Sequence, residues 1–127
     1  EAGNRWLELS DAYDAWNASD LVNRLVEHEL PMVQFIQGTK SYHPAMQELE
    51  RAYTSGALNH GDDPVLRWNA ANVVARKDAN NNTAPDKRRS ADKIDGLVAL
   101  LMAIGATLAQ PAPAAKSVYD RRDLLMV

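Results

Sequence analysis

Two aspartates stand where a carboxylate could do chemistry. Asp95 lies one turn inside a predicted helix and immediately before the apolar run 97–104, where a charged side chain should find little water. Its structural alternative is a first-turn carboxylate that complements the helix dipole. That alternative is strong for Asp92 and weaker for Asp95. Asp14 ends a predicted strand and is followed by Trp16 and Asn17. Strand ends beside helix starts are where open α/β sheets hold ligands and metals. Turn formation or capping competes for Asp14, and on the residues alone it is the better reading. Neither aspartate by itself names an enzyme.

Other chemistries have less support. Gly38-Thr39-Lys40-Ser41 lacks the Gly-Lys pair and the upstream glycine of a phosphate-binding loop. His28, His43 and His60 are scattered, with no pair at metal-ligand spacing on one helix. His28 reads as a surface helix residue and His43 as a helix-start residue. No G-x-S-x-G elbow points to a nucleophilic hydrolase. Trp6, Trp16 and Trp68 follow no basic-aromatic repeat, and core packing is the better reading for at least two of them.

The elements that must position the two aspartates follow from apolar spacing. Part of 5–14 is read as a strand. Ser19 can cap a helix over 20–30, with Leu21, Val22, Leu25, Val26 and Leu30 on one face. Pro31 stops it, and 32–36 reads as a short buried strand. A polar loop over 37–42 leads to Pro44, which suits the first turn of a helix through about Ser55. Gly56 then ends that helix in a left-handed conformation. Asp63-Pro64 opens a short helix, 73–76 looks like a strand, and 78–82 should reverse the chain. Ser90 can cap the last helix, over 91–109, which is apolar nearly all round after Ile94 and therefore buried on most sides. Alternating strands and helices predict an α/β domain over 1–109, with 110–127 as a tail or docking arm.

Composition bounds the rest. The chain has 127 residues, enough for one domain with a real core, and no cysteine, so disulfides and thiolate metal sites are excluded. A metal would have to be held by carboxylates, carbonyls or histidines, which favours magnesium or manganese. Absence of cysteine also agrees with a reducing cytoplasm. No apolar run approaches the ~20 residues of a membrane span, and no secretory signal is visible. The net charge of −3 does not describe a polycation. Locally, however, Arg76, Lys77, Lys87, Arg88, Arg89 and Lys93 outnumber Asp78, Asp86 and Asp92. That excess suits phosphate contacts, and equally a solvated loop. The chain begins at Glu1 rather than Met, and is read as a piece of something longer.

Three stretches together resemble the large terminase subunits of tailed phages, in the C-terminal part of their nuclease domain. The first is Ala12-Tyr13-Asp14-Ala15-Trp16-Asn17, with the helix ending Leu30-Pro31-Met32-Val33. The second is the run 41–53 followed by 59–74, which contains His60-Gly61-Asp62-Asp63-Pro64 and Arg67-Trp68-Asn69. The third is Pro85-Asp86-Lys87, then Ser90 and Lys93-Ile94-Asp95-Gly96-Leu97. Order and spacing fit from about Asp11 to Ala109, and Ser117-Val118-Tyr119 fits less specifically.

The resemblance implies an RNase H-like nuclease fold, truncated at its N-terminal strands. In that family, acids from two strands and a late helix hold one or two divalent ions, Mg2+ or Mn2+, that cut duplex DNA. Asp14 matches the strand-end acid and Asp95 the helical acid, so both would be catalytic metal ligands. Arg76, Lys77, Lys87, Arg88 and Arg89 would contact DNA. The implied role is cutting concatemeric double-stranded DNA during viral genome packaging, in the bacterial host cytoplasm and beside a portal protein and a small terminase subunit. The family's first acid and its ATPase domain lie upstream of the matched region, and residues 1–10 do not match what precedes the Tyr-Asp motif. The expectation is therefore a partial nuclease domain, an excised fragment or prophage remnant, whose exposed strand edges favour self-association. Two rivals stay open: an inactive fragment that only docks to the packaging machinery, and a different RNase H-like enzyme such as a junction resolvase.

Overall fold

The computed structural model describes residues 11–15 and 18–109. The expected tail 110–127, most of the strand expected within 5–14, and Trp6 and Trp16 lie outside the described residues. Along the chain run β1 (Asp11–Tyr13), α1 (Ser19–Glu27), β2 (Met32–Gln34), α2 (Thr39–Thr54), α3 (Pro64–Asn72), β3 (Ala75–Lys77), β4 (Thr83–Pro85) and α4 (Asp95–Ala109). β1 and β2 pair in parallel, Tyr13 opposite Gln34, with α1 between them in sequence. A parallel pair needs such a crossover. β3 and β4 form an antiparallel hairpin, Ala75 opposite Pro85.

α4 is the hub. It packs on α2, α3 and β1, while β4 packs on α2. The core holds Phe35, Tyr42, Ala45, Ala84, Ile94, Leu97, Val98 and Leu101. Phe35 and Tyr42 meet ring to ring at 5.1 Å. Close approach of α4 to this pair needs Gly105, where a β-carbon would lie 2.5 Å from Phe35 Cε2.

Several expectations hold in detail. Gly56 takes φ +70° after α2 ends, as glycine does without a steric cost. Asp63 caps α3, its carboxylate accepting from Leu66 N at 2.7 Å, with Pro64 in the first turn. Residues 78–82 do reverse the chain, with Asn81 at φ +65°.

Others are corrected. α2 starts at Thr39 rather than Pro44, so 39–42 is helix and not loop. Proline there forgoes a helical hydrogen bond. The upstream turn is held by tertiary contacts instead: Tyr42 is buried against Phe35, and Thr39 Oγ1 donates to Asp78 at 2.7 Å. His43 is not a helix-start residue but lies inside α2, where its Nδ1 accepts from Thr83 N at 3.1 Å and ties the helix to β4. Of the apolar face expected on α1, Val22 is buried while Leu21 and Val26 are exposed. Trp68 is 45% exposed rather than packed in the core. α4 starts at Asp95, not Ala91. Ser90 does not cap it, because the hydroxyl accepts from Val74 N and donates to Asp86 O. Nor is α4 buried all round: Ala99, Ala103 and Thr107, four apart, form an exposed face.

The hairpin is clasped onto α2 through Asp78. Its carboxylate accepts from Thr39, from Asn82 Nδ2 at 3.0 Å, and from the amides of Asn80 and Asn82. The Thr39 bond leads these donors in holding the carboxyl down to about 2. An aspartate in the unfolded chain titrates at about 3.9, so the folded value is depressed. Asp78 therefore contributes stability that is present above about pH 4 and lost as pH falls through about 2. Asp78→Ala should show a shallower fall in melting temperature than the parent chain between about pH 4 and pH 2. Parallel acid limbs for the two chains would refute the clasp.

Candidate functional site

Asp14 follows β1 directly, at the end of the parallel pair. Gln37 Nε2 donates to its Oδ2 at 2.9 Å. Its charge also reaches Tyr42, whose hydroxyl is pushed up to about 12, chiefly by burial, with Asp14 adding to the effect. Tyr42 thus keeps its proton at any ordinary pH and remains a potential donor beside the carboxylate.

Asp95 corrects the expectation of a carboxylate one turn in, at the mouth of a buried stretch. It is the first residue of α4, and its side chain is 69% exposed. Lys87 Nζ bonds its Oδ1 at 2.9 Å. That hydrogen bond, then the lysine's charge, with Lys93 adding, holds the carboxyl below its ordinary range. An ionised carboxylate is what a metal ion requires of a ligand. A surface ion pair of this kind is worth little in water, so Lys87 can release Asp95 at small cost.

A partner of each aspartate lines one groove, although neither aspartate does. A polar groove of about 450 Å³ is lined by Gln37, Tyr42, Arg76, Asp86, Lys87 and Arg88, with Val98, three residues beyond Asp95, also in its wall. The side chain that holds Asp14 and the side chain that holds Asp95 therefore face one cleft, although 81 positions separate the aspartates in sequence. A larger cleft of about 820 Å³ lies among α2, α3 and α4. It is lined mainly by apolar side chains such as Met46, Leu49 and Leu100 and contains none of the candidate site residues, so size does not locate the chemistry here.

The basic residues divide between two supports. Arg76 and Lys77 are exposed on β3. Lys87, Arg88 and Arg89 stand on a turn organised by Asp86, whose Oδ1 accepts from the amides of Arg88 and Arg89 at 3.0 and 3.3 Å. Ser90 N closes the turn onto Asp86 O at 3.0 Å. Arg76, Lys87 and Arg88 line the polar groove, whereas Lys77 and Arg89 are not among its lining residues. The charges sit on ordered backbone, which limits the entropy lost on gripping a phosphate.

Among the described residues, no three His, Asp or Glu side chains are close enough together to hold a metal ion. Asp14 and Asp95 are nonetheless hard oxygen donors of the kind magnesium and manganese take. Magnesium sites commonly use one or two carboxylates and leave the remaining positions to water and substrate phosphate. The donor set fits an open site of that type and not a closed protein cage.

Sequence reasoning missed Gln37, Tyr42 and Asn69. Gln37 sat in an expected loop, and nothing local ties it to Asp14. Asn69 left a weak signal: asparagine is a poor helix former, and Asn69 and Asn72 repeat at helical spacing in α3.

Residues 8–110 match the family described as the terminase large subunit, endonuclease domain. The chain belongs to this family. It is 38% identical over 99 residues to the terminase large subunit of Enterobacteria phage HK97, a match covering 76% of this chain and 20% of the phage protein. Protein YmfN of Escherichia coli (strain K12) is 31% identical over 128 residues, covering 98% of this chain and 26% of that protein. In three dimensions the chain is similar to the crystal structure of the HK97 bacteriophage large terminase, with a TM-score of 0.69 and 39% identity over 77% of this chain and 21% of that one. The chain thus spans about a fifth to a quarter of the length of these relatives. The mixed α/β arrangement expected from the sequence is the arrangement found, and it is consistent with the RNase H-like fold expected of a terminase nuclease. Membership of this family replaces the junction-resolvase reading. No helix among the described residues is long and apolar enough to cross a membrane.

Proposed function

We propose that this terminase-family chain carries part of the active site of a metal-dependent endonuclease that cuts concatemeric double-stranded DNA during viral genome packaging. The observation that supports it is the polar groove, on which the partners of Asp14 and Asp95 converge beside Arg76, Lys87 and Arg88. Asp14 and Asp95 would each give a carboxylate oxygen to one or two Mg2+ or Mn2+ ions, the remaining ligands coming from outside the described residues, from water and from the phosphodiester. A bound ion supplies a strong positive charge at the scissile phosphate and lowers the pKa of an attacking water. Gln37 orients Asp14, and Lys87, whose hydrogen bond keeps the Asp95 carboxyl below its ordinary range, would give way there to DNA and a bound ion. Arg76, Lys77, Arg88 and Arg89, with the released Lys87, grip backbone phosphates. Proposed partners are double-stranded DNA, a portal protein and a small terminase subunit, in the host cytoplasm.

A second reading is a non-catalytic docking module of the same machinery. It is favoured by the absence, among the described residues, of any group of three His, Asp or Glu side chains that could hold a metal ion. Manganese titration separates the two. Under the first reading, Mn2+ at about 100 times its dissociation constant should stabilise the chain by about 2.7 kcal/mol. Asp95→Asn should abolish that gain, and with it manganese-dependent nicking of supercoiled plasmid. An unchanged melting temperature in the parent chain favours the docking module, and nicking that survives Asp95→Asn removes Asp95 from the site.

A further inference from the structure

We propose that Asn69 is a positioning residue for Asp95, acting as a cap on α4 that is supplied by a different helix. The inference rests on the reading of Asp95 as a metal ligand. The first amides of a helix have no intrahelical acceptor and need one from elsewhere. α4 cannot provide its own, because the residue before Asp95 is Ile94, which has no side-chain acceptor and is 1% exposed in the core. Ser90, which could have capped the helix, is bonded to Val74 and Asp86.

Asn69 of α3 takes over this role. Its Oδ1 accepts from Gly96 N at 2.6 Å and from Leu97 N at 3.3 Å. Asn69 is only 2% exposed, and among the described residues it is the buried polar side chain of the fold. One turn further along α3, Asn72 holds the other flank: its carbonyl accepts from Ala91 N at 3.2 Å and its Nδ2 donates to Lys93 O at 3.4 Å. The peptide after Asp95 and the Lys93–Ile94 peptide upstream of it are thereby tied to α3. The Asp95 side chain is 69% exposed and is met by Lys87, so its direction follows from that lysine and from the backbone that Asn69 holds.

Gly96 is the counterpart. A β-carbon at that position would lie 2.8 Å from Asn69 Oδ1, so the buried Asn69 side chain would have to shift away from the helix end to admit it. Glycine at 96 is what lets the amide come within 2.6 Å of the cap. The pair Asn69 and Gly96 forms one device, with Asp95 as the residue it aims.

Manganese affinity of the full chain, measured by calorimetry at a temperature where every variant is folded, tests this. Asn69→Ala should weaken Mn2+ binding by about 10–100-fold, the range found when groups supporting a metal ligand are removed. Gly96→Ala, which leaves Asn69 in place but pushes it off the amide, should weaken binding in the same direction and serves if Asn69→Ala does not fold. Asn69→Asp keeps an acceptor oxygen and should retain most of the affinity. Leu101→Ala, a core change one turn beyond Leu97 that leaves Asn69 and Gly96 in place, should lower stability and leave affinity unaltered. Wild-type affinity in folded Asn69→Ala or Gly96→Ala, with binding lost in Asp95→Asn, overturns the positioning role alone. Wild-type affinity in Asp95→Asn overturns the ligand reading, and the proposal falls with it.

Discussion

Replacing Leu101 by alanine is expected to lower the unfolding free energy by about 2–5 kcal/mol, the range for deleting a buried leucine side chain. Leu101 is 1% exposed and lies in the cluster formed by Phe35, Tyr42, Ile94, Leu97 and Val98. Its neighbours cannot all expand to fill the space, because Ala45 and Ala84 are already fully buried small residues. The same side chain also lines the open apolar cleft of about 820 Å³, which gives water and neighbouring groups a route into the vacated volume. That access argues for the lower half of the range. Urea unfolding is the measurement, with the slope unchanged if only stability is altered. Val65→Ala provides the contrast: Val65 is 61% exposed, and a surface change of this kind stays within about 0.5 kcal/mol. Equal effects at the two positions would show that α4 is not the hub of the core.

Removing the three charges of Lys87, Arg88 and Arg89 together is the second large effect expected. Each phosphate neutralised by a protein cation contributes about 0.9 to the slope of log affinity against log salt on duplex DNA. If all three grip phosphates, the triple alanine variant should flatten that slope by roughly two to three and weaken binding most at low salt. The prediction is open to failure in a specific way. Lys87 already pairs with Asp95 at 2.9 Å, and a cation occupied in that pair contributes less until the carboxylate finds another partner. Titration of a labelled duplex at several salt concentrations, with and without Mn2+, resolves this. A slope change that grows when Mn2+ is present means the ion frees Lys87 for DNA. An unaltered slope in both conditions means the turn over 87–89 is merely solvated.

Local physics was legible wherever a residue acts on its own neighbours. A helix start at Asp63-Pro64, a left-handed Gly56 and a chain reversal over 78–82 are all decided within a few residues, and all three are legible in line. Helix order and the first three strands were likewise readable from apolar spacing, whereas β4 (Thr83–Pro85) was not, because three residues carry no period and the strand exists only as the partner of β3. Starting points were less so. α2 begins five residues before Pro44 because Tyr42 and Thr39 are held by Phe35 and Asp78, contacts that no window of sequence displays. α4 begins four residues after Ala91 because the Ser90 hydroxyl is taken by Val74 and Asp86.

The sequence by itself determined the family, the mixed α/β class and the two aspartates worth testing, because motif order, apolar period and residue type are properties of the chain read in line. Only the tertiary structure decided what surrounds those aspartates. It made Asp95 an exposed first-turn carboxylate rather than a half-buried one, brought Gln37 and Lys87 to a common groove, and turned Asn69 into the cap of a helix to which it does not belong. The reason is one of range. Backbone conformation and burial period are set by neighbours along the chain, whereas a hydrogen bond between residues 27 apart exists only once packing has brought the two helices together.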